Sequence, residues 1–231
     1  MIPSVTAAQM RDVDRLMLED AGISLLQMME NAGHSLARQA RLMLGGDAQG
    51  RRVIVLAGPG GNGGGGLASA RRLATWGADV GVVIAVPEMA LAAAPALQLS
   101  ALRWMGVPVL ESGSVGTADL ILDAIFGYSL SGPPIGRSAE LIQAANASGV
   151  TILALDLPSG LHPDTGEALE PAIRATATVT LALPKAGLLM PRARTWTGDL
   201  YLADISVPEQ VYRRLGLEVG PIFARSDLIR I

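Results

Sequence analysis

The chain has 231 residues, 50% of them hydrophobic but only 3% aromatic, so its core must be aliphatic. Net charge is -3, from 18 basic and 21 acidic residues with no basic block, which argues against a nucleic-acid partner. The absence of cysteine, with only His34 and His162 as imidazoles, excludes disulfides, thiolate catalysis, zinc–thiolate sites and multi-histidine metal centres. That composition is compatible with a reducing cytoplasm.

Residues 1–6 lack the basic and unbroken apolar regions of a signal peptide. Apolar runs elsewhere are cut by Gly, Pro or charge well before the ~18 residues of a membrane span. A cytoplasmic chain with no membrane partner is expected. Thr6 reads as an N-cap with Gln9 as its capping-box partner, and Met10, Val13, Leu16 and Met17 follow at helical spacing. A second helix runs through Leu25, Leu26, Met29, Ala32, Gly33, Leu36, Ala37 and Ala40. Glu30 and Asn31 lie within it, and spacing alone turns both to solvent.

Residues 53–57 form the first strand, apolar throughout as a buried parallel strand should be. A tract made almost entirely of glycine follows, from Gly58 to Gly66, and reads as a loop where backbone must come close to a ligand. A helix is expected from Leu67 to Trp76, and a second strand over 80–86. Residues 89–105 read as a helix kinked or broken early at Pro95, and 107–110 as a short strand. Strands are expected over 120–127 and 150–156, each carrying an acid near its C-terminal end, Asp123 and Asp156. Between them lie a loop over 128–136 and a helix over 138–147. Further strands are expected over 178–183 and 200–205, then a short helix over 208–215 and an ambiguous tail. No linker or repeat divides the chain, so residues 1–231 read as one doubly wound α/β domain, with the helices of residues 1–50 packed on the sheet core.

In open α/β sheets, ligands bind beyond the carboxyl ends of the strands. Asn62, Asp123, Asp156, Ser159 and Lys185 all fall on that rim. Asn62, Asp123 and Ser159 are hard oxygen donors with a single carboxylate, a set that suits a monovalent cation better than zinc or copper. The glycine tract matches G-x-G-x-x-G partly by chance, and the nearest ribose-binding acid, Glu88, is poorly placed; no Gly-Lys-Ser/Thr completes a Walker motif. The residues by themselves therefore point to a phosphate-bearing or anionic small molecule, with Asp156 or Asp123 as acid/base.

Several ordered motifs resemble those of the NAD(P)H-hydrate epimerase family, the N-terminal domain of bacterial bifunctional repair enzymes. They are Met29-Glu30-Asn31-Ala32-Gly33, the tract from Gly58 to Leu67, Asp123-Ala124-Ile125-Phe126-Gly127, Asp156-Leu157-Pro158-Ser159-Gly160 and Pro184-Lys185-Ala186-Gly187. The resemblance implies a Rossmann-like, mostly parallel sheet with helices on both faces. It implies an isomerase that interconverts the R and S forms of hydrated NADH and NADPH (NAD(P)HX), with potassium as cofactor and a homodimer as the usual assembly. An ADP- or ATP-dependent dehydratase, separate or fused, is the implied partner. Matched by position, Asn62, Asp123 and Ser159 correspond to potassium ligands, and Asp156 to the catalytic acid/base. Gly61, Asn62, Gly63, Gly64 and Gly65, then Gly127, Tyr128, Ser129, Leu130, Ser131, Gly132 and Pro133, with Asp156 and Lys185, correspond to substrate contacts. The family usually reads Gly-Pro-Gly-Asn-Asn-Gly-Gly-Asp-Gly where this chain has Gly61 and Gly65 in place of Asn and Asp, and has Thr176 in place of an Asp. The alternative that these departures raise is a catalytically weakened nucleotide-binding or dimeric scaffold protein of the same fold.

Overall fold

The computed structural model of the chain describes residues 2–111, 115–116 and 118–231; Met1, the first residue of the opening stretch, lies outside them. Helix α1 (Ala7–Glu19) starts at the expected capping box. The Gln9 amide donates to Thr6 Oγ1 at 3.2 Å, and the Thr6 amide donates to Gln9 Oε1 at 2.9 Å. Helix α2 (Leu25–Met43) opens on a second capping box, Ser24 with Gln27. Its Met28, Met29, Ala32, Leu36 and Ala40 are buried.

The remaining elements are β1 (Arg52–Ala57), α3 (Gly61–Thr75), β2 (Asp79–Ile84), α4 (Ala93–Trp104), β3 (Leu120–Ala124), α5 (Gly136–Ala147), β4 (Ile152–Leu155), β5 (Ala177–Leu181), α6 (Arg194–Thr197), β6 (Asp199–Ala203), α7 (Glu209–Arg214) and β7 (Leu228–Arg230). The seven strands form one sheet in the order β2-β1-β3-β4-β5-β6-β7. Every pair is parallel except β6–β7, so the ambiguous tail closes the sheet as an antiparallel edge. Side chains alternate along β1. Val53, Val55 and Ala57 meet a core built from α1, α2, α3, α4 and α7, while Ile54 and Leu56 meet Leu141, Ile142 and Ala145 of α5. Helices thus cover both faces, and the chain reverses direction between β1 and β3. That reversal is the switch point where open α/β sheets form their crevice.

Four local expectations are corrected. The glycine tract is not a loop running to Gly66: α3 begins at Gly61, with Gly60 as its extended N-cap. Glycine costs about 1 kcal/mol per residue in a helix interior relative to alanine, so tertiary packing must offset it. A Cβ at Gly64 would lie 2.5 Å from Met29 Sδ of α2, and one at Gly66 would overlap Ala124 Cβ of β3. The tract lets α3 sit against both α2 and the sheet. Glu30 and Asn31 are not turned to solvent. Glu30 accepts from Arg71, from Arg72 at 2.9 Å and from Gln98 at 3.0 Å, which ties α2 to α3 and α4; Asn31 Nδ2 donates to the Ile205 carbonyl at 3.1 Å. Residues 107–110 make only one bridge, Val109 to Val82, because Pro108 has no N–H to give a ladder. Pro95 falls in the first turn of α4, where its missing N–H costs nothing, and the helix runs on unbroken. Among the described residues, no helix is long and apolar enough to cross a membrane.

Candidate active site

At the carboxyl rim, a cavity of about 210 Å³ lies over the switch point. Its walls are mostly apolar: Met10 of α1, Leu25, Met28, Met29 and Ala32 of α2, Leu155, Leu181 and Ile205. Its polar groups are Asp14, Asn62, Tyr128, Ser129, Asp156 and Lys185. An apolar pocket with a few convergent polar groups is the usual form of a small-molecule site.

Asp156 follows β4 directly and holds φ at +68°, the left-handed region that non-glycine residues adopt at a cost of roughly 1–3 kcal/mol. Its amide donates to the Val179 carbonyl at 2.7 Å, which fixes the bend. Lys185 Nζ forms an ion pair with Asp156 Oδ1 and also donates to the Leu181 carbonyl at 2.9 Å and Thr180 Oγ1 at 3.3 Å. Lys185 is 0% exposed and Asp156 3%, so the pair sits almost dry at the cavity wall. Asp156 Oδ2 accepts the Tyr128 amide at 3.0 Å. Strained backbone at a functional position is where such cost is tolerated, because the surrounding contacts over-determine it.

Asp123 and Ser159 lie deeper, both 0% exposed. Asp123 Oδ1 accepts the Ser159 hydroxyl at 2.6 Å and the Ile125 amide at 3.2 Å, and Oδ2 accepts the Ser159 amide at 2.8 Å. Burial pushes the Asp123 carboxyl up to about 6, against these donors, which favour its charged form. Ser159 Oγ also accepts the Phe126 amide at 2.9 Å, one residue from Gly127, whose Cα side faces Asn62 and Asp156. Asn62 Nδ2 is buried with no hydrogen-bond partner among the described residues. Such an orphan is rare, and amide O and N are interchangeable in placement, so an oxygen-seeking ligand on an Asn62 turned over would satisfy it.

The other predicted contacts divide. Gly61, Asn62, Gly127, Tyr128 and Ser129 line the cavity with Asp156 and Lys185. Gly63, Gly64 and Gly65 do not: they are buried in the packing of α3, and a Cβ on Gly65 would lie 2.9 Å from Leu155 Cδ2. The segment Leu130, Ser131, Gly132 and Pro133 borders a separate open groove, with Val86, Phe126 and Arg137. Asp14 is the polar wall residue that sequence reasoning missed. Its signal was a carboxylate four residues from Met10, on the stripe that also carries Val13 and Met17. The Tyr128 hydroxyl donates to Asp14 Oδ2, and burial, reinforced by the Asp156 charge, holds the Asp14 carboxyl above the usual carboxylate range despite that bond and the Lys185 charge.

A doubly wound parallel sheet with a strained acid and a buried lysine at its switch point defines an α/β protein that handles a small molecule at the Rossmann-type crevice. Residues 25–187 match the family described as YjeF-related protein N-terminus, and the chain belongs to that family. It is 45% identical over 219 residues to the NAD(P)H-hydrate epimerase of Dehalogenimonas lykanthroporepellens, covering 94% of this chain and 87% of that one. It is 38% identical over 228 residues to the enzyme of the same name from Truepera radiovictrix, covering 98% and 100%. The bifunctional NAD(P)H-hydrate repair enzyme Nnr of Moorella thermoacetica is 36% identical over 217 residues, covering 90% of this chain and 41% of that longer one. The crystal structure of yeast ynu0, YNL200c, superposes with a TM-score of 0.85 over 100% of both chains at 26% identity.

Proposed function

We propose that the protein interconverts the R and S epimers of NADHX and NADPHX, the hydrated nicotinamide nucleotides. The observation that carries this is the buried Asp156–Lys185 pair at the wall of an apolar cavity, in a chain similar along almost its whole length to NAD(P)H-hydrate epimerases. The damaged ring carries a hydroxyl on a carbon bonded to the ring nitrogen, a hemiaminal. Loss of that hydroxyl as water gives a planar iminium, and water returning to the other face resets the stereocentre. Both steps move a proton at the hydroxyl oxygen, which requires a positioned acid/base. Asp156 takes that role, oriented by its left-handed backbone and by the Tyr128 amide, while Lys185 offsets its charge. Met28, Met29, Leu155 and Ile205 keep bulk water from the cation between the two steps.

Asn62, Asp123 and Ser159 would hold a potassium ion. The orphaned Asn62 amide and a donor set of oxygens with one carboxylate support that fit. When bound, the ion supplies a fixed positive field and anchors the turns after β1, β3 and β4. Gly127, Tyr128 and Ser129 contact the nicotinamide end. Leu130, Ser131, Gly132 and Pro133, with their groove, take the rest of the nucleotide. The family resemblance is the ground for placing the protein in the cytoplasm as a homodimer, and the bifunctional relatives are the ground for pairing it with a separate or fused dehydratase. Mixing the protein with one pure epimer of NADHX in potassium buffer tests the proposal: the two epimers should equilibrate far faster than in buffer, and an unchanged rate would refute it.

A further inference from the structure

The cavity holds a second carboxyl besides Asp156. Helix α1 could cap the site with apolar residues alone, yet it presents Asp14 beside Met10 to the cavity. The helix is not loosely laid. Val5 pairs with the Lys185 segment, its amide donating to the Pro184 carbonyl at 2.9 Å and its carbonyl accepting from the Ala186 amide at 2.9 Å. The Ala7 amide donates to Asp164 Oδ1 at 2.6 Å. Asp14 therefore stands at a fixed position relative to Lys185 and Asp156.

Tyr128 joins the two acids. Its amide donates to Asp156 Oδ2 and its hydroxyl to Asp14 Oδ2, so the carboxyls are set apart by the length of one tyrosine side chain. A planar ring has two faces, and two carboxyls spaced across a cavity can each serve one of them. The groups that face Asp14 are Tyr128, Lys185 and Asp156; Arg11 on its own helix acts on Tyr128, and Arg214 of α7 meets α1 only at its far end, through Asp20. Burial is the largest influence on Asp14 and keeps its proton on to higher pH than a solvated carboxyl would.

We infer that Asp14 is the second proton-handling group of the site, serving the ring face opposite the one served by Asp156; this rests on the epimerase assignment above. In one direction, Asp14 gives its proton to the hydroxyl oxygen of the hemiaminal carbon. The carbon–oxygen bond breaks with its electron pair leaving on water, and the ring nitrogen lone pair forms the iminium double bond. A water then adds to the opposite face and gives its proton to Asp156. One proton has left Asp14 and one has reached Asp156. Conversion of the other epimer runs the same steps backwards and restores both acids. Net conversion of one epimer leaves Asp14 ionised and Asp156 protonated, and exchange of both protons with water once product has left restores the starting state.

The test compares wild type, Asp14→Asn, Asp14→Glu and Tyr128→Phe in the single-epimer equilibration assay across pH 5 to 9, with thermal midpoints and NADHX affinity by calorimetry. Asp14→Asn keeps the acceptor for Tyr128 and should lose about 10²-fold or more in kcat with affinity and midpoint little changed. The fall in wild-type rate at high pH should disappear in Asp14→Asn. It should move to higher pH in Tyr128→Phe, where a donor that favours the charged carboxyl is gone. Asp14→Glu should recover part of the rate. Asp14→Asn turning over within threefold of wild type would overturn the inference alone. So would a rate loss matched by equal losses of affinity and midpoint, which would make Asp14 a tether. A wild type that fails to equilibrate the epimers would overturn the epimerase assignment and this inference with it.

Discussion

Replacing Asp156 by Asn isolates the charge of the buried pair. The amide keeps the size and shape of the carboxylate, and Asn adopts the left-handed backbone at least as readily as Asp, so the bend at φ +68° is not strained further. What changes is that Lys185, with its side chain 0% exposed, keeps only neutral partners, the Leu181 carbonyl and Thr180 Oγ1. Removing one member of a buried pair costs about 3–5 kcal/mol, because the remaining charge stays desolvated. At roughly 2–4 °C per kcal/mol for a chain of this size, the thermal midpoint should fall by about 6–20 °C. Adding Lys185→Met removes the orphaned charge and should restore most of the loss. Urea and thermal melts of the single and double variants read this directly. A single variant that melts with wild type, or a double variant less stable than the single, would refute the picture of a dry, mutually dependent pair.

The deep carboxyl makes a pH prediction. Asp123 titrates near 6 folded against 3.8 unfolded, so its contribution is fully present below about pH 4 and is lost as pH rises through 6, by about 3 kcal/mol. Asp123→Asn should flatten that part of the stability curve. A bound cation favours the ionised carboxyl, so potassium chloride should raise the thermal midpoint more at pH 8 than at pH 5, relative to tetramethylammonium chloride; equal gains at both would count against the ion site. Gly65→Asp supplies the acid that the family resemblance leads one to expect there, but a Cβ at this position lies 2.9 Å from Leu155 Cδ2. Overpacking should cost about 1–3 kcal/mol in urea melts with no gain in epimerisation rate; a stable, faster variant would show that the missing acid limits this protein.

The strands were legible because buried parallel strands must be apolar on both faces, as residues 53–57 and 152–155 are. The rule that ligands meet the carboxyl rim groups Asn62, Asp156 and Lys185 from the sequence, and all three line one cavity. The glycine tract misled for a physical reason. Glycine is a poor helix former, and only the third dimension shows that Met29, Leu155 and Ala124 leave no room for a Cβ along α3. Glu30 was hidden likewise: its partners Arg71, Arg72 and Gln98 lie on helices 40 or more residues away. Asp14 was hidden because a lone acid at an amphipathic boundary has no local mark; its meaning comes from Tyr128, 114 residues further on.

The most direct measurement follows one pure epimer of NADHX over time with wild type and with Asp156→Asn, in potassium buffer well below the melting point of either. Rapid equilibration by wild type, slowed at least about 10²-fold in Asp156→Asn, is the expected result. Equal rates for the two proteins would remove Asp156 and its lysine from the chemistry and contradict the central claim.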